Sequence, residues 1–237
     1  MRLSPWGRAV AVSAVVVLGA AAVLAVGALA SRHARLVSYP VGGELQGVSL
    51  DLGAADVQIV GGGARARMTV QRLERYAFGH DVRTVRTVSG GVLHVVSRCP
   101  TALPHSCSVR YSVVVPDNVP VDVRTGSGTV SFRDYRGSAR ISTRAGNVDV
   151  TGFCGFSLQA RSDSGDVDVA AGCPPQTLSL RASSGDVHAV VPAGRYQVDA
   201  TSASGRHAVR GVDARSDAPF AIQALSSSGN VVVEGRR

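Results

Sequence analysis

The chain has 237 residues and a formal net charge of +8, and every one of its 25 basic side chains is Arg. An apolar content of 45 per cent excludes a disordered charged tail, and 27 Gly with 10 Pro fall short of the ~25–30 per cent of low-complexity chains. Only 5 per cent aromatic residues, with abundant Val, Ser and Thr, point to strands joined by many turns.

Half of the charge excess sits at the start, where Arg2, Arg8, Arg32 and Arg35 flank a stretch without acids. The remaining Arg residues are scattered singly, unlike the basic stripe with stacking aromatics of a nucleic-acid domain, so no nucleic-acid partner is expected. Residues 9–30 carry no charge and are rich in Ala, Val and Leu. That length spans a bilayer core as a helix, and Arg2 and Arg8 suit a cytoplasmic flank. The organisation expected is a cytoplasmic terminus at 1–8, a transmembrane anchor at 9–30, a linker at 31–40 and an extracytoplasmic domain at 41–237. A competing reading is a signal peptide, because Ala28-Leu29-Ala30 before Ser31 has the small-x-small cleavage form. Cleavage after Ala30 makes the protein secreted; retention makes it single-pass. Both readings export the domain.

Val48, Leu50 and Leu52, then Val57 and Ile59, alternate with polar residues like a strand pair around Ala55. Residues 65–78 fit two patterns: Ala66, Met68 and Val70 alternate, while Ala66, Val70, Leu73 and Ala77 have helical spacing. The strand is preferred. Val92–Val96 and Val109–Val115 read as strands joined through the loop between Cys99 and Cys107.

A repeat dominates the rest. Gly128, Gly146, Gly165, Gly185, Gly205 and Gly229 recur at spacings of 18, 19, 20, 20 and 24, a period that means stacked units. Seven residues before each Gly stand Val121, Ala139, Leu158, Leu178, Val198 and Ile222. Two after it stand Val130, Val148, Val167, Val187, His207 and Val231. Mostly polar residues fill the alternate positions, so each unit reads as strand, tight turn, strand. One unit cannot bury its apolar face, but six stacked units share a core. The class expected is all-β, a parallel solenoid with rungs of about 20 residues.

Four cysteines in an exported chain suggest two disulfides. Cys154 and Cys173 each lie eight residues after a repeat glycine, so they hold one position in neighbouring rungs. Stacked strands lie ~4.8 Å apart, within disulfide reach. The register therefore predicts Cys154–Cys173, leaving Cys99–Cys107.

These rungs resemble the bacterial putative-adhesin family, exported or anchored domains of unknown function. The likeness rests on Ser164-Gly165-Asp166-Val167-Asp168-Val169 and Ser184-Gly185-Asp186-Val187-His188-Ala189, with looser copies at Ala145–Val150 and Ser228–Val233. Val113-Val114-Val115-Pro116 resembles the family's lead-in, and Thr129 and Arg206 depart from the motif. The resemblance spans roughly Val41 to Gly235 and implies a β-solenoid at the cell envelope with no catalytic residues to carry over.

Candidate chemistry is sparse. Asp149, Asp166, Asp168 and Asp186 form a possible carboxylate column for calcium or for acid–base work on a polysaccharide, but Asp after Gly is also a common turn residue. Gly61-Gly62-Gly63 reads as a turn rather than a dinucleotide loop. The histidines, His33, His80, His94, His105, His188 and His207, include no i, i+4 pair. There is no G-x-S-x-G nucleophile elbow. Neither catalytic residues, a metal nor a cofactor is expected. The leading reading is a membrane-anchored, adhesin-like module that binds envelope polysaccharide or protein. The alternatives are a carbohydrate-active enzyme on a β-helix, which needs long loops, and an envelope-stress accessory or scaffold protein. The last rung, Asn230–Glu234, is expected to leave an open strand edge, and the oligomeric state is left open.

Overall fold

The computed structural model describes residues 5–30, 33–43, 45–77, 80–100 and 107–236, with helix side chains at 13–23 and 25–27. A helix, α1 (Pro5–Ala30), and a strand, β1 (His33–Pro40), precede the long strand β2 (Gly47–Gly61). Next come β3 (Thr69–Tyr76), β4 (Arg83–Ser89), β5 (Val92–Arg98) and β6 (Cys107–Val115). Four strand pairs follow: β7 (Val121–Ser127) with β8 (Val130–Arg133), β9 (Ala139–Ala145) with β10 (Val148–Phe153), β11 (Ser157–Ser164) with β12 (Val167–Ala171), and β13 (Thr177–Ser184) with β14 (Val187–Pro192). The chain ends with β15 (Arg195–Ser202), β16 (His207–Arg210), β17 (Asp213–Ala214), β18 (Phe220–Ser228) and β19 (Val231–Arg236).

Period-two patterning explains the architecture. Each rung is a leading strand, a glycine turn and a trailing strand. Leading strands pair in parallel with leading strands, and trailing with trailing, at matched repeat positions: Leu158 lies beside Ala139 and Leu178, and Val167 beside Val148 and Val187. Inward residues from the two sheets meet in one core of Val, Leu, Ile and Ala, with Tyr111, Phe132, Tyr135, Phe153 and Tyr196 fully buried. Two of these phenols have partners, Tyr135 Oη donating to the Val119 carbonyl and Tyr196 Oη to that of Pro192 at 2.8 Å, while Tyr111 Oη has none among the described residues. Burial raises the pKa of Tyr135 and Tyr196.

β2 runs through both sheets as the first complete rung, with Val48 opposite Val121 and Val57 opposite Val130. β5 pairs with its first half and β6 with its second. The strands β5 and β6 therefore form a further rung on β2, one in each sheet. Two antiparallel additions extend this end: β3 on β6, then β1 on β3, in the trailing sheet, and β4 on β5 in the leading sheet.

Three expectations change. Rungs do not stack in chain order: β18 lies between β13 and β15, and β19 between β14 and β16. The last rung is therefore internal, its edge is paired, and the rung 195–210 takes the end of the stack. His207, read as a core or edge histidine at the position other rungs fill with Val, is exposed on an edge strand. The transmembrane span expected at 9–30 finds no support in the described residues. Among them no helix is long and apolar enough to cross a membrane.

Candidate functional site

The turn column comes first because it carries the suspected carboxylates. At each turn, glycine lets one rung press its backbone onto the next: a Cβ on Gly146 would sit 2.0 Å from the Gly128 carbonyl oxygen. The residue after the glycine then ties neighbouring turns together. Asn147 Oδ1 accepts from Asp166 N–H at 3.0 Å, Asp166 Oδ1 from Asp186 N–H at 2.9 Å, and Asp186 Oδ1 from Asn230 N–H at 2.7 Å. Asn230 Oδ1 accepts from Arg206 N–H at 3.2 Å, and Arg206, with no side-chain acceptor, ends the ladder at the terminal rung. Below it runs a ladder of hydroxyls: buried Ser162 and Ser226 and half-buried Ser202 donate to the carbonyls of Gly146, Gly185 and Gly229 in the neighbouring rung. Asp166 and Asp186 are thus joints of the stack.

Asp149 and Asp168 stand in a different row, side by side on the outer face of the trailing sheet. His188 follows in register, with Nδ1 3.6 Å from Asp168 Oδ1 and Nε2 3.9 Å from Glu234 Oε2. Burial raises the Asp168 pKa, His188 pulls it back, and Asp166, Asp149 and Asp186 raise it further. Among the described residues no group of three or more His, Cys, Asp or Glu could hold a metal ion. The four aspartates therefore split into two turn joints and one acidic row, without a calcium cage.

The leading sheet's outer face has the opposite character. Arg98, Arg124, Arg140, Arg144, Arg161 and Arg181 project from it. Three of them meet acids: Arg98–Asp51 at 2.8 Å, Arg124–Asp122 at 3.3 Å and Arg161–Asp163 at 3.1 Å. Arg140 donates instead to Gln159 Oε1 at 3.1 Å and Arg181 to Gln223 Oε1 at 2.9 Å. A depression of about 620 Å³ lies among Arg98, Arg124, Arg144 and Asp163. Another of about 350 Å³ lies beside Asp122, Arg140 and Gln159. A third, of about 640 Å³, lies beside Ser179, Asp199, Gln223 and Arg215.

Cys154 and Cys173 are bonded across neighbouring rungs with Cα atoms 4.8 Å apart, and Cys99 and Cys107 close their loop at 5.7 Å. His105 lies outside the described residues. Gly61 ends β2, and the next element is the strand β3, not the helix a dinucleotide loop requires. The arginine face was legible only in outline: outward Arg residues alternate with apolar ones, but which are neighbours depends on register and on the displaced last rung.

A family model described as Toastrack DUF4097 matches residues 106–234. No curated protein matches the chain. Among solved structures, the chain is similar to a putative cell adhesion protein from Clostridium sporogenes at 10 per cent identity, covering 86 per cent of this chain and 100 per cent of that one with a TM-score of 0.50. It is also similar to a putative adhesin from Bacteroides fragilis, at 13 per cent identity over 85 and 97 per cent of the two chains, with a TM-score of 0.38. A putative lipid binding protein from Parabacteroides distasonis follows at 10 per cent identity over 87 and 97 per cent, with a TM-score of 0.32. At such identities the first likeness speaks for the fold alone.

Proposed function

The chain belongs to the Toastrack DUF4097 family, and from that premise we propose that it is a non-catalytic surface-binding module outside the cytoplasm, held at the membrane by its N-terminal segment. The observation that carries the reading is the pair of continuous outer faces, where polar side chains repeat from rung to rung over a closed core. Repeated weak contacts of this kind add up through effective concentration. Two disulfides support an oxidising compartment. The turn aspartates are engaged with backbone N–H groups, which leaves them poorly placed as acid–base pairs.

A glycan array read both for retention and for new reducing ends tests this. Retention without cleavage is expected. Turnover that disappears in Asp168→Asn would instead make the domain an enzyme. N-terminal sequencing of the membrane fraction tests the anchor: a chain retaining residues 9–30 is expected, and a start at Ser31 would mean cleavage and secretion.

A further inference from the structure

Acids and guanidinium groups are distributed unequally over the two faces of the stack. On the trailing face, over 148–151, 167–170, 187–190 and 231–234, the outward residues include Asp149, Asp168 and Glu234 and no Arg, with Arg133 and Arg210 on the strands to either side. On the leading face of the same rungs the guanidinium groups stand out. Resting on the surface-binding reading above, we propose that the leading face is the docking surface, and that its ligand is a carboxylate-bearing polysaccharide laid across the rungs.

Three features of the face select this ligand. First, Arg140, Arg144 and Arg181 lack a carboxylate partner: two donate to neutral Gln side chains, and Arg144 makes no hydrogen bond or ion pair among the described residues. Their rungs, 139–145 and 177–184, are separated by one other, so the anion-binding positions repeat on the order of 10 Å apart. Second, Arg98, Arg124 and Arg161 pair with acids only at the surface, with Arg side chains about half exposed. Such pairs hold weakly and can open to an incoming carboxylate, to which a guanidinium donates two parallel N–H groups. Third, the depressions are edged by hydroxyl-recognising groups, Gln159, Ser179, Asp199 and Gln223, between the charges. Acids interleaved with Arg repel a densely charged polyphosphate but suit sparse carboxylates separated by hydroxyls. The row of Asp149, Asp168 and Glu234 disfavours the same ligand on that part of the trailing face.

The test uses the full chain in detergent and immobilised hyaluronan, which carries a carboxylate on alternate sugars, with neutral dextran and polyphosphate as comparators. Hyaluronan binding that weakens with salt is expected. Arg140→Ala with Arg144→Ala and Arg181→Ala should reduce it by about tenfold or more, while Asp149→Asn with Asp168→Asn leaves it within about twofold. Far-ultraviolet circular dichroism of each variant checks the fold, and Arg144→Ala alone, at an exposed site, repeats the test if the triple variant misfolds. Undiminished binding by both Arg variants, no binding of hyaluronan, or tighter binding of polyphosphate would overturn the inference. Dextran bound as tightly as hyaluronan would overturn it too, yet leave the binding-module reading standing. Release of new reducing ends would sink that wider reading.

Discussion

Replacing Gly165 with Ala probes the closeness of the rungs directly. An ideal Cβ there lies 2.4 Å from the Gly146 carbonyl oxygen and 2.7 Å from its carbon, both backbone atoms. To reach ordinary contact the two rungs must part by about 1 Å at the turn. The bonds that cross this gap are Gly146 N–H to Ser164 O at 2.9 Å, Val148 N–H to Asp166 O at 2.9 Å, and Ser162 Oγ to Gly146 O at 2.9 Å. Losing two of them costs about 2 kcal/mol. The glycine's φ of +143° adds roughly 1–2 kcal/mol of backbone strain for Ala. A destabilisation of about 3–4 kcal/mol is therefore expected for Gly165→Ala. Two variants separate the causes. Gly43 has φ +89° with nothing within 4 Å, so Gly43→Ala carries strain alone, about 1 kcal/mol. Gly42 has open space and no positive φ, so Gly42→Ala stays within about 0.5 kcal/mol. Urea unfolding with an unchanged m-value gives all three. If Gly165→Ala unfolded no more readily than Gly43→Ala, the clash argument would be wrong.

Other outcomes follow from the same geometry. Removing the Cys154–Cys173 bond with paired Ser substitutions should cost about 3 kcal/mol in urea, and non-reducing peptide mapping should recover the linked pair from the wild type. Asp186→Ala should cost about 1–2 kcal/mol by leaving Asn230 N–H without its acceptor, whereas Asp186→Asn stays near neutral and calcium leaves Tm unchanged; a calcium-dependent Tm would restore a metal role to the column. Asp168 has a raised folded-state pKa, so the native state binds its proton more readily than the unfolded chain. Stability contributed there is fully present below the unfolded-state pKa and is lost as pH rises through the folded-state pKa. Asp168→Asn should flatten that slope in a Tm series over the acidic range, and an unchanged slope would show that burial does not act on this carboxyl.

How far the residues alone led depended on the range of the interaction. Alternation is local, so the strand pairs around Gly146, Gly165 and Gly185 were readable, as were the positions of Cys154 and Cys173 in the register. The strand at Thr69–Tyr76 was ambiguous because Arg72 and Glu74 point inward as an ion pair at 2.7 Å, breaking the apolar rhythm. Rung order was misread because every rung presents much the same apolar edge. Nothing in Val187 or Val198 says which neighbour each receives. The one irregular number, the spacing of 24 before Gly229, was the trace of a chain travelling back past a rung. The candidate site was harder still: Asp166 and Asp168 are two residues apart, yet one feeds the turn ladder and the other the outer row.

The displaced rung also sets a timetable. A chain that emerges from its N-terminal end can zip β2 through β14 together one rung at a time, each landing on a finished edge. β15 and β16 cannot follow that rule, because their partners in the stack are β18 and β19, the last strands to appear. Until residue 236 is out, the segment 195–214 has no place to dock and the edge of β13 and β14 waits uncovered. The end of the stack therefore closes only once β18 and β19 have been made, and a product cut short at 217 should show slow hydrogen exchange over 121–171 and fast exchange over 195–214.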